Sequence, residues 1–505
     1  MSSADLCIFN LKIKAHFKNK MNQNNQQNTI SILAFFMQRL FQSASLKRWF
    51  MVLLFLGGTA TIEARQKPNM IVYLSDDLGY LDVSVYGASV VKTPILQQLS
   101  QEGMTFDNAF VASPSCAPSR AALLTGLMPA KNGAEVNHAF PAPDIPYLIG
   151  QLKDNGYSVF AFGKVAHYGG NEKCGFDFHH DEQVNLYENI SGYFDSTKVE
   201  GPVCIFVGDR RPHVWWTEKM DYLPKEVDLP PYFIDTEPTR EHRARYYTDV
   251  SGMDSEMGQV LDYFDNMLGS NTLTLFTSDH GAQWPFGKWN LYDAGIRTPL
   301  IVKWPTKIQA GSRTAAMVSW VDIMPTLLEA SESAVPEGLD GKSFMEVLKG
   351  NTSTFRKEIF TTHTGDGNFN VYPMRSIRDE RYKLIINLAP NAYHTNHSDI
   401  LRKDGAGAFW DSWDAQAVQD PLAAAVVQHY FIRPAVEFYD LSNDPNEQHN
   451  LATNAAYQPR IAKMKAQLTE WMNAQGDEQK LYKQPYYFPG PKPNGETIKE
   501  RQNEH

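Results

Sequence analysis

The chain has 505 residues, 43% hydrophobic and 21% charged, which excludes a disordered, collagen-like or coiled-coil protein. That length fits two or three domains, or one large α/β core with an appended piece. A formal charge of −10 speaks against a general nucleic-acid binder, and four cysteines are too few for a disulfide scaffold.

In chain order, Lys47 and Arg48 precede an apolar run from Trp49 to Leu56, then the small residues Gly57 to Ala60. A charged stretch, a short apolar core and a small-residue exit make a secretory signal peptide, with cleavage after Ala60 or Ala64. A membrane span takes about 20 apolar residues, more than this run supplies. Residues 1–64 are therefore expected to be a leader, with Met37 as an alternative start, and the protein to be secreted or periplasmic. A retained anchor is the alternative. The leader holds seven of the 47 basic and two of the 57 acidic residues, leaving 40 against 55, a net of −15. Such a chain attracts no polyanion through its overall field, so an anionic substrate would need cations gathered in one pocket.

The continuous apolar run Met70–Leu74 predicts a strand buried on both faces, ending at Ser75-Asp76-Asp77. A helix is predicted over 93–102, with Pro94 in its first turn and Gly103 as its stop. Further strands are predicted at Tyr157–Phe162, Val203–Val207, Leu273–Thr277 and Pro299–Val302, with a long helix over 240–267 between the middle ones. Strands alternating with helices imply a largely parallel sheet covered on both sides, whose ligand groups gather beyond the carboxyl ends of the strands. From about Lys357 the pattern changes: an antiparallel strand is expected at 381–388 and an amphipathic helix at 455–472. The organisation expected is thus leader 1–64, catalytic domain 65–356, smaller α+β subdomain 357–484 and a loosely held tail 485–505.

Residues 116–126 read Cys-Ala-Pro-Ser-Arg-Ala-Ala-Leu-Leu-Thr-Gly. On composition alone this is a loop entering a helix, with Cys116 a small buried side chain. The segment resembles the signature of the formylglycine-dependent sulfatases, Cys-x-Pro-Ser-Arg followed by Leu-Thr-Gly. The resemblance implies an alkaline-phosphatase-like α/β fold and conversion of Cys116 to formylglycine by a separate maturation enzyme. The hydrated aldehyde offers one oxygen to attack sulfur and a second whose deprotonation expels sulfate. Arg120, one turn on, and the helix N-terminus would favour an anion there.

Asp76-Asp77 and Asp279-His280 each follow a predicted strand, so two strand ends can bring oxygen ligands to one crevice. The resemblance puts Asp76, Asp77, Asp279 and His280, with the residue-116 group, on a Ca²⁺ ion; His280 stands where Asn is more frequent. It also assigns Lys164 and Lys288 to the sulfate oxygens, His213 with Lys288 to protonation of the leaving group, and His167 to removal of a proton. The spacing of Lys164 and His167 is similar to that of iduronate sulfatase. Tyr372-Pro373-Met374-Arg375-Ser376 and Asn290-Leu291-Tyr292 are similar to heparan N-sulfatase, in which Arg replaces Lys288. A sulfated saccharide, glycosaminoglycan-like and O- or N-sulfated, is the implied substrate, with no nucleic-acid partner. The alternatives are a phosphonate or phosphate ester hydrolase of the same superfamily, or a non-catalytic sulfated-glycan-binding protein. His138 and His363 read as loop histidines, with sugar contact as the alternative. Cys174 and Cys204 could pair. Asn189, Asn351 and Asn396 head glycosylation sequons.

Overall fold

The computed structural model describes residues 67–403 and 406–503, so the expected leader lies outside the described residues. Twelve strands are described: β1 (Asn69–Ser75), β2 (Met104–Phe110), β3 (Ser158–Gly163), β4 (Phe178–His180), β5 (Val203–Asp209), β6 (Thr272–Ser278), β7 (Arg297–Lys303), β8 (Ser312–Ser319), β9 (Ile359–His363), β10 (Met374–Arg378), β11 (Tyr382–Asn387) and β12 (Val436–Asp440). The first eight form one sheet in the order β4-β3-β5-β1-β6-β7-β2-β8. β1 lies between β5 and β6, parallel to both. This central position accounts for the apolar run: Met70 to Leu74 are all buried, as a strand covered on two faces requires. The alkaline-phosphatase-like, mostly parallel sheet implied by the sequence is the observed one.

β7 is the exception, antiparallel to both β6 and β2. A parallel return needs a crossover to the far end of the sheet. The segment 279–296 holds only the short helix Asp293–Ile296 and re-enters at the end where β6 stopped, so the next strand runs backwards.

Helix α1 (Pro94–Glu102) packs against the sheet with its first turn held by Asp254, whose carboxylate accepts from the Ile95 and Leu96 amides at 3.0 and 2.9 Å. Helix α2 (Cys116–Thr125) is buried along its length and ends at Gly126 in the left-handed conformation. Helix α3 (Glu237–Leu268) begins with Thr236 capping the Thr239 amide and buries Tyr246, Val250, Met253, Met257 and Phe264.

The remaining four strands form an antiparallel sheet in the order β12-β11-β10-β9. Helix α4 (Gln458–Gln475) lays Ile461, Met464, Leu468 and Met472 on Ile377, Leu384 and Phe438 of that sheet. Tryptophan and tyrosine are largely core residues here: Trp320, Trp410, Trp413, Tyr246 and Tyr430 are fully buried.

The segment after 485 departs from the loose tail expected. Tyr486 and Ile498 are buried against Ile400, the Tyr486 hydroxyl donates to the Asn368 carbonyl at 2.8 Å, and Tyr487 bridges Ala392. Two apolar side chains among many prolines and charges are enough to seat the segment. Cys174 and Cys204 are separate buried thiols, each pushed up in pKa by burial, Cys174 to about 12. Asn396 is no glycan acceptor in this fold, because its buried side chain caps the Ser398 amide at 2.8 Å. Among the described residues no helix is long and apolar enough to cross a membrane.

Candidate active site

The carboxyl ends of β1, β2, β3, β5 and β6 open toward one crevice, as expected for ligand sites in such sheets. β1 delivers Asp76 and Asp77, and β6 delivers Asp279 and His280, with the Asp279 amide donating to the Ser75 carbonyl at 3.1 Å. β2 leads to Cys116 at the start of α2, β3 to Lys164, and β5 to His213. Lys164 can sit so close to β5 because Gly163 and Gly208 face each other there. A Cβ on Gly163 would fall 2.2 Å from the Gly208 carbonyl oxygen, and Gly163 also has φ near +77°. Asp77, His138 and Trp289 have positive φ around the same crevice.

The Cys116 thiol is 1% exposed. Its Sγ lies 3.3 Å from His280 Nε2 and 3.7 Å from Asp76 Oδ1. Burial raises a thiol pKa, but here Lys164 and Lys288 overcome it and hold the group well below its ordinary value. The surroundings therefore favour negative charge at position 116. Lys164 Nζ contacts Asp76 Oδ2 at 2.5 Å, and Lys288 Nζ sits 2.9 and 3.0 Å from the two Asp77 oxygens. Burial pushes the Asp76 pKa up, yet Lys164 prevails and keeps it far below the carboxylate range.

Arg120 braces the carboxylates rather than reaching only for residue 116. Its Nε donates to Asp279 Oδ2 at 2.9 Å, Nη2 lies 3.4 Å from Asp76 Oδ1, and Nη1 donates to the Lys164 and Val165 carbonyls. Ser119 Oγ donates to the Asp279 carbonyl at 2.6 Å, so α2 is pinned to the β6 end twice.

The donor set suits a metal ion. Ligand atoms of Asp76, Asp77, Cys116 and His280 all lie within 4.8 Å of one another and all four residues are buried. Asp279 stands beside this group, its Oδ1 3.6 Å from His280 Nε2. His280 Nδ1 lies 2.9 Å from the Gly281 carbonyl, and donating to it leaves Nε2 facing the carboxylates. Burial lowers the His280 pKa, but Asp279, Cys116 and Asp77 lift it to about 9. Negative charge concentrated on that nitrogen is equally the field a cation would meet. The three buried carboxylates are balanced by Arg120, Lys164 and Lys288. A divalent cation would thus give the crevice a net positive charge, as an anionic substrate requires in so acidic a chain.

His213 stands half-buried near the rim, Nε2 3.9 Å from Asp77 Oδ2. His167 Nε2 is 2.7 Å from His138 Nδ1, and its Nδ1 is buried without a hydrogen-bond partner. All six candidate catalytic side chains surround one crevice, and Cys116, His167, His213 and Lys288 line its cavity of about 210 Å³. Sequence reasoning missed Asp366. It lies beyond β9, lines the same cavity and accepts from Asn137 Nδ2 at 2.8 Å and Trp289 Nε1 at 2.9 Å. Its Oδ1 is 3.4 Å from His138 Nε2. The Gly365-Asp366-Gly367 turn was its one local signal. His138 belongs to this cavity, whereas His363 is buried elsewhere, bonded to Asn370 at 2.9 Å and lowered by burial to a pKa of about 4.

This sheet, with a buried thiol at a helix start and a buried group that could hold a metal ion at its strand ends, has the architecture of the alkaline-phosphatase-like hydrolases. The sulfatase family model matches residues 68–333, and the chain belongs to that family. Membership makes it a sulfuric ester hydrolase and implies a formylglycine and a metal ion at the site. On that implication the Cys116 thiol would stand in for the formylglycine oxygens.

A second model, the N-sulphoglucosamine sulphohydrolase C-terminal region, matches residues 279–398. The chain is 32% identical to an ulvan-active sulfatase of Formosa agariphila, over 82% of this chain and 81% of that one. It is 29% identical to human N-sulphoglucosamine sulphohydrolase, over 81% of this chain and 90% of that one. A protein solved with its substrate D-glucosamine-2-N,6-O-disulfate shares the fold at a TM-score of 0.62 and 19% identity, over 83% of this chain and all of that one.

Proposed function

We propose that this chain is a secreted, calcium-dependent sulfatase that releases sulfate from a sulfated saccharide, O- or N-linked. The observation that carries the reading is the buried Cys116 thiol, held between Lys164, Lys288 and His280 in surroundings that favour an anion. Relatives named for ulvan and for N-sulphoglucosamine supply the saccharide class. Asp76, Asp77, Asp279 and His280, with the residue-116 group, would hold the cation. Their mainly carboxylate character favours a hard ion such as Ca²⁺. The formylglycine supplies the nucleophile for sulfur, and the cation supplies charge neutralisation beside it.

The chain's own groups then divide the remaining work. Lys164 and Lys288 Nζ neutralise the sulfate oxygens as charge builds in a water-poor site. His213 donates a proton to the departing sugar atom. His167 removes a proton from the residue-116 group through Nδ1, because Nε2 is engaged by His138. His138 in turn leans on Asp366, so that carboxylate positions the base from two groups away.

The direct test is the mass of the Cys116 peptide from natively secreted protein, together with turnover of sulfate and phosphate esters at equal concentration. A loss of about 18 Da and preference for sulfate are expected. An unmodified thiol in folded native protein refutes the hydrolase mechanism. Preference for phosphate moves the chain to the phosphoesterase reading. Chelation followed by addition of single cations tests Ca²⁺, and full recovery with Zn²⁺ alone would exclude it.

Asp366→Asn is expected to lower kcat about 100-fold with unchanged folding, by loosening the His138–His167 pair. A shifted basic or acidic limb in its pH–rate profile separates this positioning role from a sugar contact, which would raise KM alone.

A further inference from the structure

Two hollows meet at the mouth of the site. Trp215 and Lys403 line the cavity that holds Cys116, and the same two residues line a second, more open hollow with Trp216, Glu218, Arg245 and Arg402. We propose that this second hollow is an anion-recognising subsite for the sugar next to the one that loses its sulfate. The proposal rests on the sulfated-saccharide reading above and extends it to a substrate of at least two sugars, the second carrying a carboxylate or sulfate.

The tryptophan pair supplies the platform. Trp216 is buried, its Nε1 donating to the Pro212 carbonyl at 2.7 Å and its ring stacked on Trp284 at 4.7 Å. Its neighbour Trp215 is left 59% exposed. An indole held out from an anchored segment at a cavity rim offers a rigid apolar face on which a sugar ring can lie.

The cations supply the selectivity. Arg245, on α3, has no ion pair among the described residues, and its Nε is buried without a hydrogen-bond partner. The guanidinium lines the hollow, so its charge is available to an anion bound there. Lys403 is exposed and likewise has no partner among the described residues. Arg402, by contrast, is committed to Asp411 and Asp414, each at 2.7 Å. Glu218, the acid in the lining, is exposed and pairs with neither free cation. Two cations without an ion pair among the described residues, beside an exposed indole in a chain of formal charge −10, match an anionic sugar.

The test is calorimetric binding to a Cys116→Ala protein, which needs no turnover. The probes are D-glucosamine 2-N,6-O-disulfate and the disaccharide in which that sugar carries a hexuronate. The disaccharide is expected to bind at least tenfold tighter. Arg245→Gln with Lys403→Gln should weaken the disaccharide about tenfold, the scale of one charge-assisted hydrogen bond, and the monosaccharide less than twofold. Raised salt should narrow the difference between the two probes. Retained monosaccharide binding shows that the double variant is folded. Equal affinity for both probes, or an equal loss on both, overturns the subsite. If the Cys116→Ala protein binds neither probe, the sulfated-saccharide reading fails for this sugar, and the subsite proposal falls with it.

Discussion

Cys116→Ser is expected to stop after one turnover, leaving a chain heavier by about 80 Da, while multiple-turnover activity falls by about 10⁵-fold or more. A serine hydroxyl placed among Lys164, Lys288 and His280 can attack sulfur once, the sugar alcohol leaving as the ester forms. It lacks the second oxygen whose deprotonation would expel sulfate, so the ester persists. Cys116→Ala should be as inactive without gaining mass, since nothing at its Cβ can attack. Neither change should unfold the protein: one buried atom is exchanged or lost, a cost of about 1 kcal/mol. Intact-protein mass after incubation with a sulfated sugar, beside an unfolding curve, reads both quantities. Sustained turnover by the alanine variant would remove residue 116 from the chemistry.

Much of this arrangement is legible in the sequence for a specific reason. β1, β3, β5 and β6 are interior strands covered on both faces: β1, β3 and β5 appear as unbroken apolar runs, β6 as a Leu/Phe run punctuated by small threonines, and each has its functional side chains within four residues of its end. β2 hides because Asp107 and Asn108 interrupt it where its register shifts between Phe106 and Ala109. The reversed direction of β7 is invisible to hydrophobic pattern, since it follows from a connection lacking a crossover helix. Asp366 reaches the crevice from the second sheet, whose edge is tied to the first by the Thr362 amide donating to the Ala112 carbonyl at 3.0 Å. A residue 250 positions from Cys116 is brought to it by that docking and by no local periodicity. Trp215 and Trp216 show the same limit: adjacent and identical in type, one is core and the other rim, because only Trp216 finds Trp284 and Pro212.

At Lys288 the expected result depends on the cation. Nζ and the Asp77 carboxylate are both buried, so Lys288→Ala in chelated protein leaves an unpaired buried charge and should cost about 3–5 kcal/mol. If Asp77 is a cation ligand, bound Ca²⁺ meets that charge instead, and the same substitution should cost only about 1–2 kcal/mol. The variant should therefore gain about 2–3 kcal/mol more from Ca²⁺ than the parent does. Activity follows a different rule. A sulfate group in the crevice loses one of its two lysines in a low-dielectric site, and kcat of the Ca²⁺-loaded protein should fall about 10³-fold even though its stability is nearly kept. Lys288→Arg keeps the charge, so it should restore stability in chelator more fully than turnover, because a planar guanidinium does not place its donors as an ammonium does. Denaturant unfolding with and without Ca²⁺, set beside kcat for each variant, separates the two roles. A stability loss equal in both conditions would remove Asp77 from the cation site while leaving Lys288 its role on sulfate.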